Sequence, residues 1–187
     1  MKIGLFFGTF DPIHVGHLKI ALRFLKTNLV DQVWFVVTPI SPFKIDQQLS
    51  SKEHRFNMLN LALEEYNNLM PSAVEFELET PNYTSHTLRH IKSKYSNYQF
   101  VILMGSDNYL NINKWKDYEY ILDNFQICIY DRPGHKLSTD KKILYIEGKY
   151  LNISSSQIRN DISSLSTHIL LNRKVLEYIK QHSLYHK

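Results

Sequence analysis

Three absences narrow the classes of protein to which this chain can belong. Only one cysteine is present, Cys128, so no intrachain disulfide can form. No apolar run approaches the roughly 20 residues needed to cross a bilayer, and the first residues lack the longer apolar region and the cleavage site of a signal peptide. We therefore expect a cytoplasmic protein with no membrane partner. Cys128 lies in a segment, residues 125–130, with the pattern of a buried strand, which favours a core thiol.

Blocks of positive charge are also missing. The formal net charge is +4, a balance that favours anionic partners. The lysines and arginines are scattered, however, and no block of them is longer than two. An RNA-binding α/β module would need a basic face with aromatic residues, which the sequence does not offer. We expect no nucleic-acid partner, because a small polyanion such as a nucleotide accounts for the charge equally well.

What the chain does have is a regular alternation of strand and helix patterns. Its 187 residues suit one domain, residues 1–187, with a sizeable core. The alternation predicts an α/β fold, a mostly parallel sheet with helices on both faces. Ligands bind such sheets beyond the carboxyl ends of the strands. The predicted strands are residues 2–7, 32–38, 74–78, 100–104, 125–130 and 143–146, and the predicted helices are 16–28, a segment capped by Ser50 and Glu53, 84–95, 154–162 and 172–182.

The first strand runs into a turn, GTFDPIHVGH at residues 8–17, that opens the first helix. Helix N-termini present unpaired N–H groups and a partial positive charge, so they attract phosphate. His14 and His17 are three residues apart and share one helix face if the helix has begun by residue 14. We expect the two imidazoles to donate hydrogen bonds to a nucleotide's phosphates. The other residues of this turn that we expect to bind a nucleoside triphosphate are Gly8, Thr9, Phe10 and Gly16, the last of which leaves room beside the phosphates.

Two other interpretations of this turn stay open. It can be a structural turn that carries two surface histidines. It can also hold zinc, because histidines at short helical spacing are zinc ligands. The zinc interpretation lacks a clear third and fourth ligand beyond Asp11.

A second segment, ISSSQIR at residues 153–159, offers another seat for phosphate. Hydroxyls and amides of Ser154, Ser155 and Ser156 at a helix start can bind phosphate oxygens. The guanidinium of Arg159 suits bidentate phosphate contacts. Taken alone, the segment is equally a helix cap followed by a surface arginine.

Together the two segments resemble the signatures of the (H/T)xGH nucleotidyltransferase superfamily, the second of which reads ISSTxIR. Within it, the first segment is similar to the GGTFDPxHxGH motif of bacterial nicotinate-nucleotide adenylyltransferases. Phe7 stands where that motif has its first glycine. The resemblance implies a single Rossmann-like domain.

Four further segments resemble the same branch. TPISPFK at residues 38–44 is similar to its PxxxPxHK loop, with Phe43 in place of the histidine and Lys44 as a phosphate partner. Arg55 matches an HR-x-x-ML helix, although it can equally be a solvated helix residue. NYTSHTL at residues 82–88 resembles SYTxxTL, which implies that Tyr83, Thr84 and Thr87 contact the nicotinate nucleotide. RPG at residues 132–134 resembles a turn of the family and adds Arg132 to that set.

Two more positions match the branch after the predicted strand at 100–104. GSD at residues 105–107 resembles its GAD or GSD turn, which implies that Gly105 and Asp107 contact ATP, through the ribose or the adenine. Asp107 can also be a helix cap. Trp115 matches a tryptophan that covers the pyridine ring, since an indole stacks well on a flat aromatic cation. A core tryptophan is the alternative.

The resemblance implies a reaction of ATP with nicotinate mononucleotide that gives deamido-NAD and pyrophosphate. The nucleophile is a phosphate that is already anionic, so no general base is needed, and catalysis is positioning plus charge stabilisation. His14, His17, Lys44 and Arg159 would carry it, assisted by Mg²⁺ held mainly by the phosphates of ATP. Amides and hydroxyls between Tyr83 and Thr87 would favour the acid over the amide acceptor.

Two alternatives compete with this interpretation, and the sequence leaves a homo-oligomer open. One is another adenylyltransferase of the superfamily, with phosphopantetheine or nicotinamide mononucleotide as acceptor. The other is a non-catalytic nucleotide-binding regulator, for which Phe7 and Phe43 are the hints. The enzyme interpretation requires the opening turn and the triple-serine segment to meet in space.

Overall fold

The computed structural model describes residues 1–131, 143–146 and 153–185. In these segments, six strands form one parallel sheet in the order β3-β2-β1-β4-β5-β6. This confirms the α/β fold and the parallel sheet. The strands are β1 (Lys2–Gly8), β2 (Gln32–Val37), β3 (Leu69–Ser72), β4 (Gln99–Gly105), β5 (Gln126–Tyr130) and β6 (Ile143–Ile146).

Eight α-helices of the described segments connect and flank the strands. Three 3₁₀ turns, Pro42–Lys44, Val74–Glu77 and Ile112–Lys114, complete the connections. The helices are α1 (Val15–Lys26), α2 (Lys52–Leu63), α3 (Thr84–Lys94), α4 (Ser106–Tyr109), α5 (Tyr118–Asn124), α6 (Ser155–Asn160), α7 (Leu165–His168) and α8 (Arg173–Gln181).

Two apolar cores, one on each face of the sheet, hold the layers together. Residues of α1, α2, α6 and α8 pack on one face, and residues of α3 and α5 pack on the other. The strands are apolar on both sides because both of their faces are covered. Cys128 is fully buried in β5, and burial raises the pKa of its thiol to about 12, which confirms a core thiol. No described helix is long and apolar enough to span a membrane.

The strand order creates a crevice at one edge of the sheet. β1 lies between β2 and β4, so the chain winds outward from β1 to β3 and then returns to the other side of β1 to form β4. Connections that leave β1 and β4 therefore diverge, and the space between them beyond the strand ends is a binding crevice. Gly8 at the end of β1 and Gly105 at the end of β4 border this space.

The predicted strand at residues 74–78 is wrong. Val74–Glu77 is a 3₁₀ turn, in which Phe76 N donates to Ala73 O and Leu78 N donates to Glu75 O. The edge strand is the earlier segment Leu69–Ser72, which pairs with β2. Pro71 obscured it in the sequence, since proline lacks an amide donor and is tolerated only where a strand has an open edge.

Helix starts differ from the predictions by small shifts. α2 begins one residue later than the Ser50–Glu53 box implies, because Ser51 is its N-cap and accepts from His54 N. The capped helix at the triple-serine segment is confirmed, with Ser154 as N-cap in a capping box with Gln157. The sequence patterns missed α5 and α7, which are only 7 and 4 residues long.

Candidate active site

Two adjoining cavities open beyond the carboxyl ends of the strands, with volumes of about 750 Å³ and about 340 Å³. They share walls from the ends of β1 and β4 and from the loop after β2. The shared residues include Gly8, Thr9, Lys44, Asp107 and Trp115. Because these walls are common to both, the two cavities form one cleft.

The smaller cavity contains both predicted histidines. His14 is the N-cap of α1, so the helix begins at Val15 and not by residue 14. A capping box nevertheless brings the rings together: Gly16 N donates to His14 Nδ1 at 3.1 Å, and His14 N donates to His17 Nδ1 at 3.4 Å. The ring centroids lie 3.7 Å apart.

These two hydrogen bonds determine which ring nitrogen carries the proton in the neutral form of each imidazole. A neutral histidine whose Nδ1 accepts a hydrogen bond carries its proton on Nε2. His14 and His17 therefore present Nε2–H donors, which suits phosphate oxygens. Zinc bonding at Nε2 would require the loss of these protons, because both Nδ1 atoms already accept backbone N–H groups.

Gly16, the glycine between the two histidines, makes room for the imidazole of His14. A Cβ on Gly16 would lie 2.9 Å from the ring of His14, and Gly16 lines neither cavity. The expected room beside the phosphates is therefore room for the His14 ring. Phe10 is 1% exposed, and its ring packs edge-on against His17, with centroids 5.1 Å apart. Gly8 makes space for Phe10, since a Cβ there would lie 2.9 Å from its ring.

The triple-serine segment meets the opening turn, as the sequence interpretation requires. Ser155 Oγ donates to Pro12 O at 3.0 Å, and Arg159 Nη1 donates to Asp11 O at 2.7 Å. Ser154, Ser155, Ser156 and Arg159 all line the smaller cavity, together with His14 and His17. Residues separated by 143 to 148 positions in the chain therefore contribute to one wall.

The larger cavity contains most of the residues expected to contact the nicotinate nucleotide. Tyr83, Thr84, Trp115 and Lys44 line it. Thr87 does not, in contrast to the expected contact: it is fully buried, and its hydroxyl donates to Glu75 Oε1 at 2.7 Å. Arg132 lies outside the described residues.

Asp107 and Trp115 both lie at the cleft; Asp107 is not a helix cap, and Trp115 is not a fully buried core residue. Gly105, and not Asp107, is the N-cap of α4, and Asp107 lines both cavities in the first turn of that helix. Trp115 is half-buried and packs on the second core, yet it lines both cavities as well. Both residues therefore face the cleft, in positions where a nucleotide can touch them.

The charge of the cleft is positive. Lys44 and Arg159 line the smaller cavity, and Lys44, Lys114 and Lys116 line the larger one. Asp107 is the one carboxylate among the described residues that line either cavity. The sequence interpretation missed Lys114 and Lys116, although they flank Trp115 directly. An excess of cations around a cleft of this size favours an anionic ligand.

Known proteins share this sequence and this fold. The model of the cytidylyltransferase-like family matches residues 5–161. A probable nicotinate-nucleotide adenylyltransferase of Flavobacterium johnsoniae is 44% identical over 193 aligned positions that cover 100% of both chains. The nicotinate-nucleotide adenylyltransferase of Bacillus subtilis is 34% identical over 98% of both chains. The chain belongs to the nicotinate-nucleotide adenylyltransferases.

A solved structure confirms the fold of this family for the chain. The nicotinic acid mononucleotide adenylyltransferase of Plasmodium falciparum, solved in complex with NaAD, superposes with a TM-score of 0.82. The match covers 98% of this chain and 97% of the other at 23% sequence identity. The chain therefore has the single Rossmann-like sheet that the resemblance implied.

Behind the cleft, Arg55 of α2 anchors the loop after β1 and both ends of the connection between β2 and α2. The side chain is 2% exposed. Nη1 donates to Thr9 O and Thr38 O at 3.0 and 2.6 Å, Nη2 to Pro39 O at 2.8 Å, and Nε to Ser50 O at 2.9 Å. The interpretation of Arg55 as a solvated helix residue is wrong. It fixes the backbone that follows β1 and β2.

Asp11 is a second buried anchor. It is fully buried; Oδ2 accepts from Ser50 N at 3.3 Å, and Oδ1 accepts from the hydroxyl of Tyr185 at 2.5 Å. The nearest guanidinium nitrogen of Arg159 lies 3.8 Å from Oδ2. Burial and the adjacent Asp11 raise the pKa of Tyr185, so the phenol stays a donor. Asp11 thus orients Arg159 and joins the segment that carries Tyr185 to the cleft.

We predict that Arg55→Met lowers the free energy of unfolding by more than about 3 kcal/mol, because it leaves four main-chain carbonyls without their donor. Urea denaturation followed by circular dichroism measures the change. Arg89→Met is the matched control, because its ion pair with Asp117 is exposed and its loss should leave the free energy of unfolding nearly unchanged. Equal losses in the two variants would contradict the anchoring role of Arg55.

Proposed function

We propose that this protein transfers the adenylyl group of ATP to nicotinate mononucleotide, with deamido-NAD and pyrophosphate as products. The observation that carries the proposal is the meeting of two phosphate-binding segments in a cleft that continues into a second, aromatic cavity. His14, His17 and Arg159 line the first compartment. Tyr83 and Trp115 line the second.

ATP fits the smaller cavity. Its phosphates would accept hydrogen bonds from the Nε2–H groups of His14 and His17 and from the guanidinium of Arg159. Ser154 is the N-cap of α6 at this wall, and its neighbours Ser155 and Ser156 add hydroxyls. The shared residues Gly8, Thr9 and Lys44 stand where the two cavities join, so the α-phosphate would lie there.

Nicotinate mononucleotide fits the larger cavity. The indole of Trp115 offers a flat face to the pyridinium ring. α3 begins at Thr84, and its N-cap Tyr83 gives no side-chain cap to the first-turn N–H groups. A helix N-terminus favours an anion, and Lys114 and Lys116 line the same cavity. These donors suit the nicotinate carboxylate.

The reaction needs positioning and charge stabilisation rather than a base. A phosphate oxygen of the acceptor attacks the α-phosphorus in line, the bond between the α-phosphorus and the bridging oxygen breaks, and pyrophosphate leaves with that oxygen's electron pair. The four proposed catalytic side chains would stabilise the charge that develops on these oxygens. They are His14, His17, Lys44 and Arg159.

Magnesium would enter as part of the substrate. The described cleft residues include one carboxylate, Asp107, and no described cluster of three or more metal-ligating side chains is present. Mg²⁺ commonly binds through substrate phosphates with few protein ligands. This donor set fits a metal carried by ATP, where it would neutralise phosphate charge.

The direct test is pyrophosphate release from ATP with each of three acceptors. We predict turnover with nicotinate mononucleotide, and kcat/KM lower by roughly 10²-fold or more with nicotinamide mononucleotide, because the amide lacks the charge and adds its own donors. Equal values for the two would contradict the acid preference. Turnover with phosphopantetheine alone would favour another adenylyltransferase, and no turnover with any acceptor would favour a nucleotide-binding regulator.

We predict that His17→Ala lowers kcat/KM by about 10²–10³-fold while the protein stays folded, because one preorganised donor to the transition-state charge is lost. Steady-state pyrophosphate release and thermal unfolding measure the two effects. His54→Ala is the control, since His54 on α2 bonds Tyr178 and lines neither cavity. Near-normal turnover in His17→Ala would remove His17 from the mechanism.

A further inference from the structure

The 3₁₀ turn behind the larger cavity carries a buried carboxyl group that the proposed reaction does not use. Glu75 is 1% exposed and lines neither cavity. It lies between the end of β2 and the first turn of α3, where its turn packs on both elements. Charged side chains are almost never buried without a partner, so this carboxyl group requires an explanation.

The contacts of Glu75 lead to the wall of the larger cavity. Oε1 accepts from Thr87 Oγ1 at 2.7 Å, in α3. The backbone carbonyl of Glu75 accepts from Asn82 Nδ2 at 3.2 Å. Asn82 in turn holds Ile40 from both sides: its Oδ1 accepts from Ile40 N at 3.3 Å, and its backbone N donates to Ile40 O at 2.8 Å. Glu75 therefore joins the loop after β2 to the start of α3.

The two segments that Glu75 joins, the loop after β2 and the start of α3, both line the proposed acceptor site. Asn82, Tyr83 and Thr84 line the larger cavity from one side, and Thr38 lines it from the other. Thr87 follows within the same helical turn as Thr84. A shift of the Glu75 carboxyl group would therefore move the residues that face the acceptor.

The surroundings of Glu75 favour a neutral carboxylic acid. Among the described residues, Oε2 accepts no hydrogen bond of standard geometry. Burial raises the pKa of Glu75 to about 7, against smaller opposing effects of the Thr87 and Thr38 hydroxyls, and no cation contributes.

The charged side chains of the neighbouring elements contact other partners than the Glu75 carboxyl group. On the exposed face, Glu77 of the same turn pairs with His90 and Lys94 of α3. Arg89 of α3 pairs with Asp117, and the ring of His86 packs on Tyr83. From α2, Lys52 lies over the ring of Phe76 and Arg55 donates to main-chain carbonyls.

We propose that Glu75 is a positioning residue for the acceptor, and that its protonated form holds the Asn82–Thr84 wall in the binding geometry. The proposal rests on the proposed function, which supplies the acceptor. An ionised Glu75 would be an unpaired buried charge, so the wall would rearrange to hydrate it. Affinity for nicotinate mononucleotide would fall as Glu75 loses its proton, while ATP, which contacts the other cavity, would be bound as before.

The test compares the pH dependence of KM in the wild type and in Glu75→Gln, a neutral isostere that keeps the acceptor oxygen for Thr87. We predict that the KM for nicotinate mononucleotide of the wild type, divided by that of the variant, rises by about 10-fold between pH 6 and pH 8. The KM for ATP changes equally in both proteins. The ratio of the two KM values cancels the effect of the titration of the substrate phosphate, which is the same for both proteins.

Two further variants separate positioning from general stability. Glu77→Gln alters an exposed carboxylate on the same turn and should follow the wild-type profile. Glu75→Ala removes the acceptor oxygen for Thr87 and should raise the acceptor KM at pH 6, where Glu75→Gln does not.

Thermal unfolding gives a readout without substrate. Because the pKa of Glu75 is raised in the folded state, its protonated form adds stability at low pH that is lost as the pH rises through about 7. The wild type should therefore lose stability relative to Glu75→Gln between pH 5 and pH 8.

The outcomes distinguish this proposal from the proposed function. Absence of turnover in the wild type would overturn the proposed function itself. Normal wild-type turnover with parallel acceptor KM profiles in the wild type and Glu75→Gln would overturn the positioning role alone. A profile that Glu77→Gln abolishes would assign the pH dependence to the exposed cluster, and would equally overturn the role of Glu75.

Discussion

The cleft depends on a buried cation that has main-chain carbonyls as partners. Arg55 donates to backbone oxygens of residues that follow β1, follow β2 and precede α2. Burying a guanidinium is costly unless its donors are satisfied. These backbone segments can therefore separate only if the guanidinium loses donors while it is buried, which carries that cost. Burial lowers the pKa of Arg55, while the charge of Asp11 opposes this, so the two anchors support one another.

This arrangement gives the cleft two halves of different character. The half that contains His14 and Arg159 is tied down by Asp11, by Pro12 O and by the hydroxyl of Tyr185. The half that contains Tyr83 and Trp115 depends on neutral hydrogen bonds around Glu75 and Asn82. The half with His14 and Arg159 is thus held by the buried Asp11, whereas the half with Tyr83 and Trp115 carries, in Glu75, a group whose pKa is raised to about 7.

The sequence predicted those parts of the fold that depend on local signals. Strand β6 and the capped helix at Ser154 follow from hydrophobic pattern and capping chemistry, which a few neighbouring residues determine. The two segments that we predict to bind phosphate were found for the same reason, because each is short and contiguous. Their meeting in one cleft followed from the rule that parallel strands gather their carboxyl ends at one edge.

What the sequence did not predict depends on distant partners. Arg55 has the sequence context of a surface helix residue, and only its contact with Thr9, 46 positions away, makes it a core anchor. Tyr185 meets Asp11 across 174 positions. Glu75 belongs to an alternating pattern that predicted a strand, yet its carboxyl group turns inward to Thr87. The resemblance of residues 82–88 to a family motif implied that Thr87 contacts the ligand, whereas Thr87 is buried and supports the wall behind it.

The central claim is that one dinucleotide spans both cavities across the junction at Gly8 and Thr9. A crystal structure of the protein soaked with deamido-NAD tests it most directly. We predict the adenylate half beside His14, His17 and Arg159, and the pyridine ring on Trp115 with its carboxylate at the start of α3. A dinucleotide bound in the opposite orientation, or outside the cleft, would contradict it.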